Sequence, residues 1–102
     1  MDMTSLTIDA ARSGVQERKT TALALAEEHY ARIQKEDGEI GAFLTLCKER
    51  ALEQADRIDR MVAEGKPLPP LAGVPVAIKD VMSTRGVRTT AGSKSLERYI
   101  PP

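Results

Sequence analysis

Leu71-Ala72-Gly73-Val74-Pro75-Val76-Ala77-Ile78-Lys79-Asp80 is an apolar run that stops abruptly on a lysine and an aspartate. Val76 to Ile78 form a short continuous apolar stretch with β-branched ends, and Gly73 and Pro75 punctuate its start. This pattern predicts a strand buried on both faces. Lys79 then falls at the carboxyl end of the strand. In open α/β sheets ligand sites collect at those ends, and a lysine desolvated there can lose its proton and act as a base. The plainer reading is that Lys79 marks the point where the chain meets water, as most lysines do. Position alone does not choose between them.

Upstream of this run the chain reads as helices. Thr7 is a suitable N-cap for a short helix from Ile8 to about Val15, with Ile8, Ala11 and Val15 on one face. Thr20 opens a second helix in which Leu23, Ala26, Tyr30 and Ile33 recur at spacings of three and four, and Gly38 marks its stop. A third helix is expected from about Lys48 to Ala63, with Ala51, Ala55, Ile58 and Val62 as the buried stripe and Gly65 as the stop. On its opposite face Glu53 precedes Arg57, and Asp56 precedes Arg60, by four residues. That is the better order for side-chain pairing, worth about 0.2–0.5 kcal/mol per pair. Between the second and third helices, Ala42 to Leu46 is apolar and β-forming, which predicts a short strand.

Lys66-Pro67-Leu68-Pro69-Pro70 cannot continue a helix and favours an extended, polyproline-like connector. The organisation expected is one domain portion over residues 1–102. Residues 1–65 are mainly helical, and residues 66–102 hold the connector, the lysine-bearing strand and the loops after it. The fold class is α/β: N-terminal helices leading into the first strands of a mixed sheet. That sheet is incomplete in this chain, because one or two strands cannot cover both faces of a buried sheet.

Charge and composition exclude several functions without selecting one. With 15 basic and 15 acidic residues among 102, the net charge is zero, so no one-signed field draws nucleic acid or an anionic membrane. Direct binding of RNA by this segment is not expected. No apolar run of about 18 residues and no signal-peptide core is present, so the expected location is the cytoplasm. One cysteine, Cys47, and one histidine, His29, cannot assemble a cysteine–histidine metal cluster or an internal disulfide. Cys47 is expected as a small packing residue and His29 as a solvated or locally bonded one. No metal-binding or cofactor-binding residue is expected in this chain.

Four pieces of the C-terminal third form a specific set: Gly73-Val74-Pro75 before the strand, Ile78-Lys79-Asp80 at its end, Gly86 to Thr90 (GVRTT), and Ser93 to Pro102 (SKSLERYIPP). With them the chain resembles the amidase signature family, and within it the A-type subunits of tRNA-dependent amidotransferases. The helices, Ala42 to Leu46 and the Gly65–Pro70 link share the resemblance, so it extends over essentially the whole chain. Val81 stands where many relatives have asparagine, and Ala91 where many of the amidotransferase subunits have cysteine. Ala91-Gly92-Ser93 is a form also found in stand-alone amidases.

The resemblance implies the sheet described above is an amidase-signature sheet and that Lys79 is the lysine of a Ser-cisSer-Lys triad. A serine hydroxyl is a weak nucleophile and needs a base within about 2.6–3.2 Å. In the family's scheme Lys79 takes a proton from a middle serine, which takes one from the nucleophilic serine. An acyl-enzyme forms, ammonia leaves, and water releases the acid. Apolar flanks such as Val76, Ala77 and Ile78 supply the necessary desolvation once the sheet is complete. Both serines belong to a glycine- and serine-rich segment that this sequence lacks, so the isolated chain is expected to be an inactive N-terminal fragment, loosely packed and prone to aggregate. The partners implied are B-type and C-type amidotransferase subunits, with glutamine as substrate. ATP and Mg2+ are expected in the partner subunit, through which tRNA is reached.

Other polar residues invite less chemistry. Asp80 is expected to bond backbone or a neighbouring polar group rather than Lys79, because adjacent strand residues point to opposite faces. Ser93 and Ser95, with Thr89 and Thr90, suit turns and helix starts, and Gly86 and Gly92 suit tight turns. Neither glycine belongs to a phosphate-binding pattern. Three functions stay open: the glutamine-hydrolysing part of an amidotransferase, a stand-alone amidase using the same lysine, and a non-catalytic helical interaction module.

Overall fold

The computed structural model describes residues 2–102. Three helices, α1 (Ile8–Gln16), α2 (Ala22–Ile40) and α3 (Lys48–Ala63), precede an irregular C-terminal third that contains one 3-10 turn, Lys94–Leu96. Local capping accounts for most helix boundaries. Thr7 Oγ1 accepts from the Ala10 amide at 3.1 Å at the start of α1. Of the two adjacent threonines, Thr21 rather than Thr20 caps α2, its hydroxyl accepting from the Ala24 amide at 3.0 Å. Thr20 is engaged in closing α1: its amide donates to the Gly14 carbonyl at 3.2 Å.

The exit of α2 differs from the expected stop. The helix runs through Gly38 and ends at Gly41, which adopts the left-handed conformation with φ 68°. Gly41 donates to the Asp37 carbonyl at 2.7 Å, and the Asp37 carboxylate accepts from the Ala42 and Phe43 amides at 2.7 and 3.2 Å. One glycine inside a helix costs only about 1 kcal/mol, and the bonds gathered by Asp37 favour the later stop. Gly65 ends the α3 region as expected, also at φ 68°. On α3 the Asp56–Arg60 pair closes at 2.6 Å, whereas Glu53 and Arg57 form no ion pair among the described residues.

Helices α2 and α3 form an antiparallel hairpin fastened by side-chain bonds between residues far apart in sequence. Asp59, late in α3, accepts from the Ala22 and Leu23 amides at 2.8 and 3.1 Å, two of the orphan donors at the positive end of α2. Arg18 Nη2 donates to the Val62 carbonyl at 3.0 Å, binding the α1–α2 link to the end of α3. The core contains Ala11 and Val15 of α1, Ala22, Leu25 and Ala26 of α2, and Ala55 of α3. Only Leu25 and Val15 are large and fully buried, so the helices approach closely over alanines and bury little apolar area. Replacing Asp59 with alanine is expected to lower stability by about 1–2 kcal/mol. A urea titration showing no change in midpoint would mean that water substitutes fully for the carboxylate.

Neither expected strand is present among the described residues. Residues 42–46 and 74–79 carry no ladder, and Val76 and Ile78 are 62% and 54% exposed. A strand exists only when a neighbour accepts and donates its main-chain hydrogen bonds, and no described segment runs alongside either run. The structure is therefore helical with an irregular tail, and the sheet expected of an α/β fold is not formed. The tail still docks. Gly73, at φ 80°, lies so close to Val15 that an added Cβ would stand 3.0 Å from Val15 Cγ2, so a side chain there would be both crowded and strained. The radius of gyration is 15.0 Å, above the roughly 13 Å of a compact 100-residue domain, because the tail spreads beside the helices. No helix among the described residues is long and apolar enough to cross a membrane.

Candidate active site

Lys79 ends the extended run and is exposed. No side chain among the described residues pairs with it. Its carbonyl accepts from the Met82 amide at 2.9 Å, which turns the chain immediately after the lysine. The flanking Val76, Ala77 and Ile78, expected to exclude water from the lysine, face outward. They are unpaired and uncovered for the same reason that the strand is absent.

Asp80, by contrast, is fully engaged. One carboxylate oxygen accepts from the Thr90 amide at 2.8 Å; the other accepts from the Thr90 hydroxyl and, at 3.2 Å, from the Gly92 amide. The Asp80 carbonyl accepts from the Ala91 amide at 3.1 Å. The expectation that Asp80 bonds backbone and a neighbouring polar group thus agrees with the geometry. Its partner hydroxyl was not legible: Thr89 keeps a local turn bond to the Val87 carbonyl at 3.0 Å, as expected, whereas the buried Thr90 bonds to Asp80 ten residues away, beyond the turn role expected of it. A threonine ten residues from an aspartate leaves no periodic signal.

The Thr90 hydroxyl first, and then the Thr90 amide, hold the Asp80 carboxyl below the ordinary carboxylate range. A depressed value means that the clasp is stabilising above the unfolded pKa of about 3.9 and is lost as pH falls through the lowered folded value. Protection of the Thr90 and Gly92 amides, taken as the exchange rate relative to the intrinsic rate at each pH, should therefore be high at neutral pH and be lost in acid once Asp80 is protonated. Protection that stays unchanged across that range would count against the clasp. Site-resolved measurement is needed because Asp2 is shifted the same way, chiefly by the Thr4 hydroxyl.

The rest of the loop is closed by main-chain bonds from Gly86 to Pro101, 2.9 Å, and from Thr89 to Tyr99, 3.0 Å. Arg50 of α3 reaches the Arg85 carbonyl and ties the loop to the helices. Ser93 caps the 3-10 turn and shares a 2.7 Å hydroxyl contact with Ser95, in keeping with a helix-start role. His29 Nδ1 lies 2.7 Å from the Leu25 carbonyl, a local bond in which the ring nitrogen donates. Cys47 is exposed rather than packed, because the segment before it forms no strand to cover it. Burial first, and then the neighbouring Cys47, raise the Tyr30 phenol above its ordinary value. No group of three or more metal-ligating side chains occurs among the described residues. The arrangement offers a lysine side chain with no ion-pair partner on a fastened main chain and, among the described residues, no hydroxyl hydrogen-bonded to it.

A family model described as Amidase matches residues 24–102. The chain belongs to the amidase family. Among curated amidase relatives, the A-type subunit of the glutamyl-tRNA(Gln) amidotransferase of Koribacter versatilis is 61% identical over the whole chain, which covers 21% of that protein. The corresponding subunit of Chlamydia abortus is 54% identical over 89% of this chain and 18% of its own length. That of Dehalococcoides mccartyi is 43% identical over 99% of this chain and 21% of its own. The chain thus spans about a fifth of the length of these relatives. Among solved structures it is similar to a chain of an inhibitor-bound vestigial protein complex described as revealing the evolutionary origins of an s-triazine catabolic enzyme. The TM-score is 0.89 at 39% identity, over 95% of this chain and 21% of that one. A second structure of that description gives 0.83 at 42% identity, over 88% and 20%.

Proposed function

We propose that these residues are the lysine-bearing N-terminal portion of the glutamine-hydrolysing subunit of a glutamyl-tRNA(Gln) amidotransferase. The observation that carries this reading is the 61% identity over all 102 residues to the A-type subunit of such an enzyme. Lys79 is the base of the reaction. In the whole protein its neutral amine takes a proton from a serine hydroxyl hydrogen-bonded to it, and that serine takes one from the nucleophilic serine as the latter attacks the carboxamide carbon. Collapse of the adduct breaks the C–N bond, the returned proton leaves with ammonia, and water cleaves the acyl-serine to glutamate. Both serines and the cis peptide lie in parts of the protein beyond these residues.

The ammonia passes to partner subunits of the B and C type, where ATP and Mg2+ activate the γ-carboxyl of glutamate on tRNA. A net charge of zero suits a role in which tRNA is reached through the partner. The test is the full-length protein assembled with its partner subunits. It should release ammonia from glutamine and, given ATP, Mg2+ and Glu-tRNA(Gln), form Gln-tRNA(Gln). Glutamine hydrolysis without transamidation would favour the second reading, an amidase acting outside tRNA metabolism. That reading draws on the Ala91-Gly92-Ser93 sequence and on the similarity to a vestigial complex described as revealing the evolutionary origins of an s-triazine catabolic enzyme. No hydrolysis of any carboxamide would refute both.

A further inference from the structure

We infer that Asp80 is a positioning residue for Lys79: its carboxylate clasps Thr90–Gly92 and so fixes the main chain that carries the lysine. The inference rests on the reading of Lys79 as the base. A base must be held close to its productive geometry by supports that are themselves locked, yet the Lys79 side chain has no partner of its own here. Its main chain is held from its own carbonyl onward. The Lys79 carbonyl accepts from Met82, and all three oxygens of Asp80 accept from Thr90, Ala91 and Gly92. Hydrogen bonds to an ionised acceptor are the strong kind, and Thr90, which gives two of them, is itself only 4% exposed.

Two further observations distinguish a clasp from an ordinary loop bond. Ala91, between the two residues that the carboxylate grips, sits at φ 51°, a left-handed conformation that alanine avoids and that persists only where its surroundings over-determine it. Asp80 also makes no ion pair with Lys79 among the described residues. The negative charge is directed to Thr90 and Gly92, not to an ammonium it would otherwise hold in the charged, unreactive form.

The test uses the full-length protein in its complex, with glutamine hydrolysis and ammonium-supported transamidation measured side by side. Asp80→Asn, which turns one acceptor into a donor facing the Gly92 amide, should lower kcat for glutamine about ten- to a hundredfold with KM within about twofold. Thr90→Val should cause a smaller fall of the same kind, Thr90→Ser almost none, and the double variant no more than Asp80→Asn alone. Ammonium-supported transamidation should stay within about twofold throughout, showing a folded, assembled complex. An unchanged kcat in Asp80→Asn, a change in KM alone, or equal loss of both activities would overturn the inference, the last by making the clasp a folding element only. Lys79→Ala separates the two readings. If it abolishes hydrolysis while Asp80→Asn does not impair it, the clasp falls and the base stands; if Lys79→Ala stays active, the base reading itself fails.

Discussion

Lys79→Ala in the full-length protein should lower glutamine hydrolysis by about 10²–10⁴-fold, the contribution of a positioned general base. Lys79→Arg should recover almost none of it, because a guanidinium stays protonated and cannot accept the serine's proton. A lysine needed only for its charge would behave in the opposite way, with arginine restoring most of the activity. External ammonium should support ATP-dependent transamidation by the Lys79→Ala complex, since only the source of ammonia is lost. Arginine activity near the unmodified level, or failure of ammonium to rescue a folded complex, would remove Lys79 from the role of base. The exposure of Val76 and Ile78 sharpens this expectation. These residues do not by themselves enclose the lysine, so its reactivity depends on what covers them.

Leu25→Ala should be the most damaging change to the helical part, destabilising it by about 2–5 kcal/mol. Leu25 is 0% exposed, and most of its buried neighbours are alanines, which cannot rearrange to fill the space that a leucine leaves. Against a typical total of about 5–15 kcal/mol for a domain, a loss of this size removes much of the cooperative transition. Leu25→Met, which keeps the volume, should cost less than about 1.5 kcal/mol. Urea titrations followed by helical circular dichroism compare the variants. Equal midpoints for Leu25→Ala and the unmodified chain would mean that the three helices do not share one core.

The contrast between the helices and the tail shows what a local pattern encodes. The expected α3 span agrees with the observed Lys48–Ala63, and Thr7 is the N-cap of α1 as expected. Caps and 3.6-residue stripes act within a few residues, and these boundaries are set by contacts of that range. The apolar run Val76–Ile78 carries an equally local signal for a strand, but a strand is satisfied only by residues distant in sequence. The signal had no partner to act on. Leu25 was missed for a related reason: Leu23, Ala26, Tyr30 and Ile33 form a regular stripe, and which edge of it meets α1 and α3 depends on where those helices pack.

The candidate site divides in the same way. Its motif residues are contiguous, so Lys79 and its membership of an amidase pattern were readable from Gly73-Val74-Pro75 and Ile78-Lys79-Asp80, and residues 24–102 match that family. The role of Lys79 as base is a proposal that rests on the resemblance and that the Lys79 variants above test. By itself, then, the sequence determined the spans of α1 and α3, the stop at Gly65 and the family, because each depends on neighbouring residues or a contiguous motif. Only the tertiary structure decided that Asp59 caps a helix start 37 residues earlier, that Arg18 bonds a helix carbonyl 44 residues later, and that Asp80 is taken by Thr90 and Gly92. Those bonds join groups whose separation along the chain carries no period, so they come into being only when packing brings the segments together.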